Sequence, residues 1–97
     1  MLNFEDAIQT IKESWKPLEI GRFNNQVIRL IMAEGEFKIH DHAFDECIIV
    51  YKGHINLWTE KGIIDLKEGQ GYIATAGTKH NPIAKEKSYL LSIIPAN

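Results

Sequence analysis

The pattern of apolar and polar positions divides the chain into a short helical segment followed by a long series of predicted strands. Near the N-terminus, apolar residues recur with the 3.6-residue period of a helix, and Asn3 precedes them as a candidate N-cap. Pro17 lacks the backbone N–H that a helix interior needs, so the helix is predicted to end before it. The apolar positions of this helix are Phe4, Ala7, Ile8, Ile11 and Trp15.

From Leu18 onward, the apolar runs are short, rich in β-branched residues and separated by turn residues such as Asn24-Asn25 and Lys52-Gly53. The runs "VIRLIM" and "CIIVY" are apolar on both alternating faces. Both faces are therefore predicted to be covered, as in a closed barrel, a two-sheet roll or a dimer contact. The sequence predicts an N-terminal helical arm over residues 1–17 and an all-β barrel domain over residues 18–97.

Composition narrows the class of protein. The chain has 97 residues, of which 44% are hydrophobic and 25% charged, which is typical of a single globular domain. A net charge of -2 gives no basic face for nucleic acid, and no membrane span is predicted. The acidic N-terminus is unlike a signal peptide and Cys47 has no partner for a disulfide, so we expect a cytoplasmic protein.

The stretch "GEFKIHDHAFDECIIVYKG" carries the candidate chemistry. On a strand, His40 and His42 would leave the same face about 7 Å apart, both within reach of one ion. Residues 43–45 are short enough for a hairpin loop that returns Glu46 beside His42. Apolar residues share the face of Glu46, and an unpaired carboxylate there would cost several kcal/mol unless a cation compensates it. A second stretch, "GQGYIATAGTKH", contains flexible glycines and supplies His80 as a fourth ligand.

Two motifs in these stretches resemble those of the cupin superfamily, and the resemblance spans roughly residues 18–94. The first motif, G-x5-H-x-H-x3 or x4-E-x6-G, is matched by Gly35, His40, His42, Glu46 and Gly53, with one residue fewer between the first two. The second, G-x5-P-x-G-x2-H-x3-N, is matched by Gly69, Gly77 and His80, with Thr75 and Ala84 at the proline and asparagine positions.

The resemblance implies a small single-domain protein with a jelly-roll β-barrel, commonly a homodimer. A partner subunit would also help a domain this small to bury apolar surface. The resemblance further implies one divalent transition metal ion with His40, His42, Glu46 and His80 as ligands. Zn, Mn, Fe, Ni, Co and Cu all suit this ligand set. The alternative is a structural cupin that has lost its metal, with solvated or core histidines.

Two functional classes stay open on the sequence. The first is a metal-dependent enzyme, such as an oxygenase, isomerase or lyase, acting on a small oxygenated molecule. The second is a non-catalytic module that binds or senses a small molecule with the help of the metal. An enzyme needs an acid or base beyond the metal ligands, and Lys38, Arg29 and Tyr72 are the candidate substrate-binding residues. Lys38 could instead extend to solvent, and Arg29 could pair within the protein.

Overall fold

A computed structural model describes residues 1–96 as one short helix and seven strands. The elements are α1 (Phe4–Thr10), β1 (Leu18–Phe23), β2 (Gln26–Glu36), β3 (Glu46–Lys52), β4 (His54–Thr59), β5 (Gly62–Lys67), β6 (Gly71–Ala74) and β7 (His80–Pro95). This confirms the predicted all-β class with an N-terminal helix. Within residues 1–96, no helix is long and apolar enough to cross a membrane.

All strand pairs are antiparallel, and the long strand β7 connects most of them. The main strand order is β1-β2-β7-β3-β6, while β4 pairs with both β5 and β7. The first residues of β7, from His80 to Ile83, pair with β4. Its later residues lie between β2 and β3, where Ser92 is opposite Arg29 on one side and Ile48 on the other. Strand β7 therefore contributes to the candidate site at both its beginning and its end.

The alternation of buried residues along β3 follows the predicted side-chain parity. Glu46, Ile48 and Val50 are buried, whereas Cys47 is half-buried and faces the other side of the strand. Ile48 and Val50 join a cluster of buried aliphatic side chains, in which each valine, leucine or isoleucine contributes about 1.5–3 kcal/mol when removed from water. That cluster comprises Ala33, Ile48, Val50, Ile55, Leu57, Leu66, Ala84 and Leu90. The inward acid predicted from the sequence therefore lies beside an apolar core.

The N-terminal helix is shorter than the sequence pattern predicts. Asn3 caps it as expected, its side chain accepting a hydrogen bond of 3.0 Å from the backbone N–H of Asp6. The helix ends at Thr10 because Ile11 is extended, with φ -81° and ψ 126°. Trp15 then takes a left-handed backbone conformation, with φ 65°. Its predicted place on a helix is therefore wrong.

Trp15 is instead held against strand β2. Its backbone N–H donates to the carbonyl of Met32 at 2.8 Å, and its indole Nε1–H donates to the carbonyl of Glu34 at 3.0 Å. These two bonds fix both the backbone and the ring. The segment between α1 and β1 therefore carries an aromatic side chain to the barrel.

The segment between β2 and β3 also differs from its predicted form. His40 makes only an isolated bridge with His80, in which each backbone N–H donates to the other residue's carbonyl, at 3.0 and 2.9 Å. Strand β3 pairs with β6 and β7 rather than with the histidine segment, so the predicted hairpin over residues 43–45 is wrong. The carbonyl of His42 accepts a bond of 2.8 Å from Gly77. The histidine segment is thus joined directly to the part of the chain that carries His80.

Candidate metal centre

The four predicted ligands, His40, His42, Glu46 and His80, lie together at one point. Their ligand atoms are all within 4.8 Å of one another. Nε2 of His42 and Nε2 of His80 lie 3.3 and 3.4 Å from the same carboxylate oxygen, Oε1 of Glu46. The ring centroids of His40 and His80 are 4.4 Å apart. Glu46 and His80 are buried, while His40 and His42 are partly accessible, so an ion could reach the cluster from one side.

Backbone hydrogen bonds orient two of the imidazoles for metal binding. Nδ1 of His40 lies 2.9 Å from the carbonyl of Lys38, and Nδ1 of His80 lies 2.9 Å from the carbonyl of Thr78. Because a carbonyl can only accept, each Nδ1 carries the proton in the neutral ring and each Nε2 presents a lone pair. The same arrangement orients histidine ligands in metal sites.

Nε2 of His80 provides the test of whether the residues fit a metal. This atom is buried, and among residues 1–96 it has no hydrogen-bond partner. A buried polar atom without a partner costs about 1–3 kcal/mol. A metal ion coordinated by this nitrogen and by Oε1 of Glu46 would remove that cost and neutralise the buried charge. The donor set therefore fits a divalent transition metal.

Glu46 is held by its second oxygen. Oε2 accepts a hydrogen bond of 2.5 Å from the hydroxyl of Ser92, and this hydroxyl accepts one of 3.0 Å from Nη2 of Arg29. Nη2 also lies 3.6 Å from Oε2. One carboxylate oxygen is thus supported by the protein while Oε1 is directed at the histidines. Arg29 is partly exposed and pairs within the protein, which is one of the two alternatives predicted for it.

The electrostatics of the cluster favour an ionised carboxylate. Burial alone would raise the pKa of Glu46. Contacts with His80 and Ser92 and the charge of His42 outweigh this effect and lower the pKa to about 2. The same contact with Glu46 raises the pKa of His80, against the effect of burial. Burial lowers the pKa of His40, which keeps this ring neutral and its lone pair available. The carboxylate is therefore charged at neutral pH, and a proton competes with a cation at His80.

A cavity of about 390 Å³ opens beside the cluster. All four candidate ligands line it, together with Arg29 and Lys38, which were predicted to contact a substrate. Tyr72 is not among the described residues that line this cavity. It is paired with Ile48 across β3 and β6 and packs against the aliphatic cluster, so the structure does not support a ligand contact for it.

The site also includes Ser92, Trp15, Phe37 and Asp41, which the sequence pattern did not identify. Ser92 supports the carboxylate, and its signal was a lone hydroxyl within the apolar run "LLSIIP", since a buried hydroxyl needs a partner. Trp15 and Phe37 line the cavity, and their rings are 5.2 Å apart. No local pattern marks Trp15 as a cavity residue, because its position depends on a left-handed backbone and on bonds to β2.

Comparison with known proteins agrees with this architecture. The sequence profile of the Cupin domain family, Cupin_2, matches residues 27–94. The chain therefore belongs to the cupin family, as a small single-domain protein with a β-sheet jelly-roll fold. No curated protein matches the sequence significantly.

Several solved structures share the fold. A cupin-2 domain protein from Shewanella frigidimarina is 33% identical, with a TM-score of 0.94, over 98% of this chain and 94% of that one. Protein NMB1881 from Neisseria meningitidis is 22% identical, with a TM-score of 0.88, over 98% of each chain. Hydroquinone 1,2-dioxygenase from Sphingomonas sp. TTNP3, solved with 4-hydroxybenzoate bound, is 16% identical, with a TM-score of 0.79, over 91% of this chain and 70% of that one. The proteins from Neisseria meningitidis and Sphingomonas are less than 25% identical to this chain, so their similarity to it concerns the fold alone.

Proposed function

We propose that this cupin holds one divalent transition metal ion and uses it to act on a small oxygen-bearing molecule. The ligands are Nε2 of His40, His42 and His80 and Oε1 of Glu46. The observation that carries the proposal is the convergence of these four atoms within 4.8 Å at the wall of a cavity, one of them a buried nitrogen that makes no hydrogen bond within residues 1–96.

The ligand set leaves room for a substrate. Three imidazoles and one carboxylate leave about two positions free on an octahedral ion. When bound, the ion would supply Lewis acidity, or dioxygen chemistry if it is iron. The chain itself holds Glu46 in its ionised form, attracts negative charge through Arg29 and Lys38, and lines much of the cavity with apolar and aromatic side chains.

Within this class, we propose a metal-dependent enzyme, such as an oxygenase, isomerase or lyase. Asp41 and Lys38 line the cavity beside the ligands and are the side chains available for proton transfer. The alternative, a binding or sensing module, is favoured by one observation. Nζ of Lys38 lies 5.3 Å from the Phe37 ring centroid, in a cation–π contact, so this lysine could attract an anionic ligand without taking part in a reaction. Substrate turnover by metal-loaded protein that is lost in both Asp41→Asn and Lys38→Met would establish the enzyme.

Metal binding can be tested apart from turnover. Metal-free protein is titrated calorimetrically with Zn²⁺ and Mn²⁺, and one ion per chain is expected. The His42→Ala variant should lose tight binding. His54→Ala is the matched control, because His54 is exposed and pairs with Asp65 away from the cavity. Unchanged binding in His42→Ala, or equal loss in both variants, would contradict the proposal.

We also expect a cytoplasmic homodimer. Among the residues that the structure describes, six large apolar side chains are exposed, Ile63 on β5 and Ile73 on β6 among them, which is consistent with a partner surface. Light scattering coupled to size-exclusion chromatography measures the mass, which should be twice 11.1 kDa. A mass equal to that of one chain at micromolar concentration would refute the dimer.

A further inference from the structure

The cavity beside the cluster is suited to a negatively charged ligand. Arg29 and Lys38 line it, and with a bound divalent ion these cationic groups outweigh the charges of Glu46 and Asp41. The chain as a whole carries a net charge of -2, so the positive charge is local to the cavity. Opposite charges in a partly desolvated cleft attract strongly.

Arg29 has unused hydrogen-bonding capacity. Among residues 1–96, the one side-chain hydrogen bond that it makes goes to Ser92, and its buried Nε has no partner. A guanidinium carries five N–H donors in a planar fork that matches a carboxylate. Arg29 can therefore support Glu46 and bind an anionic group of a ligand next to the ion.

An aromatic wall formed by Phe37 and Trp15 begins beside the proposed ligand His40. The ring of Phe37 is edge-on to His40, with centroids 5.2 Å apart and an interplanar angle of 88°. The indole of Trp15 continues this wall, 5.2 Å from the Phe37 ring and inclined by 32°. Ile31 and Leu90, paired across β2 and β7, add aliphatic lining. Such a surface favours a planar apolar group, because offset stacking adds to the burial of area.

The volume of the cavity sets the size of that group. A cavity of about 150 Å³ can hold benzene. The volume here, about 390 Å³, has room for one substituted ring together with a polar group at the ion.

From charge, shape and volume together, we propose that the ligand is a small aromatic carboxylate. Its carboxylate lies at the end of the cavity formed by the ion and Arg29, and its ring lies against Trp15 and Phe37. This inference rests on the proposed function, since the ion supplies part of the positive charge.

The experiment measures binding to Zn²⁺-loaded protein, in which a redox-inert ion avoids turnover. Benzoate is compared by calorimetry with benzamide, which lacks the charge, and with cyclohexanecarboxylate, which lacks the aromatic ring. Benzoate should bind at least about tenfold more tightly than benzamide, because benzoate makes charge-assisted hydrogen bonds. It should bind about two- to tenfold more tightly than cyclohexanecarboxylate, because only benzoate stacks.

Variants assign the aromatic preference to the wall. Trp15→Leu should bring the affinities of benzoate and cyclohexanecarboxylate together, and Phe37→Leu serves the same purpose if Trp15→Leu does not fold. Trp58→Leu is the control, since Trp58 lies on β4 and is not among the described residues that line the cavity. It should leave the preference intact.

The outcomes separate this inference from the proposed function. If Zn²⁺ binds but benzamide or cyclohexanecarboxylate binds as tightly as benzoate, or benzoate does not bind, the ligand class is wrong and the metal site stands. If Zn²⁺ itself does not bind to the metal-free protein, the proposed function fails and this inference fails with it.

Discussion

Replacing Ser92 with alanine tests whether the support of Glu46 matters for metal binding. In the folded protein, the Ser92 hydroxyl donates a hydrogen bond of 2.5 Å to Oε2 of Glu46 and accepts one from Arg29. The Ser92→Ala variant removes both bonds and leaves the carboxylate free to rotate away from the histidines. None of the proposed ligands is changed.

The expected size of the effect follows from the type of bond that is lost. A hydrogen bond to a charged group contributes about 1.5–3 kcal/mol, and tenfold in affinity corresponds to about 1.4 kcal/mol. Removing groups that orient metal ligands typically costs about 10- to 100-fold in metal affinity. We therefore expect Zn²⁺ to bind Ser92→Ala about 10- to 100-fold more weakly than the wild type.

A matched control is available on the same strand. Ser88 is also fully buried on β7, but its hydroxyl accepts a hydrogen bond from the backbone N–H of His54 and has the carbonyls of His54 and Glu86 as acceptors for its one proton, away from the cluster. Ser88→Ala should lower the free energy of unfolding without changing the Zn²⁺ dissociation constant. Competition with a chromophoric chelator measures the dissociation constants, and urea unfolding measures stability.

The reasoning is refuted if Ser92→Ala binds Zn²⁺ as tightly as the wild type while folding normally. It is also refuted if Ser88→Ala weakens Zn²⁺ binding to the same extent. The first result would mean that Glu46 does not need this hydroxyl to serve as a ligand, or that it is not a ligand.

Three further predictions concern stability. The folded metal-free protein holds the pKa of Glu46 at about 2 against a usual 4.5. The ionised Glu46 carboxylate therefore stabilises the folded state above pH 4.5, and this stabilisation is lost as pH falls toward 2. This loss should be about 3 kcal/mol in urea unfolding, and absent in Glu46→Gln. Gly53→Ala should destabilise the metal-free protein by more than about 1 kcal/mol, because Gly53 has φ +90° and an added Cβ would overlap the Ser88 side chain. A Gly53→Ala variant with wild-type thermal stability would contradict this. Leu57→Ala, at a fully buried core position, should cost about 2–5 kcal/mol. Lys87→Ala, at an exposed position of β7, should stay within about 0.5 kcal/mol, and equal effects of these two variants would show that the core is misassigned.

The strand class and the four candidate ligands could be predicted because their signals are local. Short β-branched runs and turn residues mark strands wherever they occur, and the histidines lie in two compact motifs. The parity of β3 also followed from local alternation, which placed Glu46 on the same face as Ile48 and Val50. These features depend on backbone geometry over a few residues.

The remainder of the site depends on contacts between distant parts of the chain. Ser92 reaches Glu46 across 46 residues because β3 and β7 pair in a register that places Ser92 opposite Ile48. The histidine segment was predicted to pair with β3, but His40 bonds to His80 instead. Periodicity alone cannot decide whether the histidine segment pairs with β3 or with His80, since either pairing brings the histidines close to Glu46.

The N-terminal segment shows a second limit. Trp15 fits the helical period of Phe4, Ala7, Ile8 and Ile11, yet the helix ends at Thr10. Carbonyl groups of β2 accept hydrogen bonds from both N–H groups of Trp15, and these bonds outweigh the local preference for continuing the helix. A residue that lines the cavity was therefore assigned to the wrong element.

Anomalous diffraction from crystals of the Zn²⁺-loaded protein tests the central claim most directly. We expect one zinc peak per chain, about 2.0–2.1 Å from Nε2 of His40, His42 and His80 and about 2.0–2.2 Å from Oε1 of Glu46. A zinc peak bound by other residues, or these four side chains turned away from a common point in zinc-saturated crystals, would contradict it.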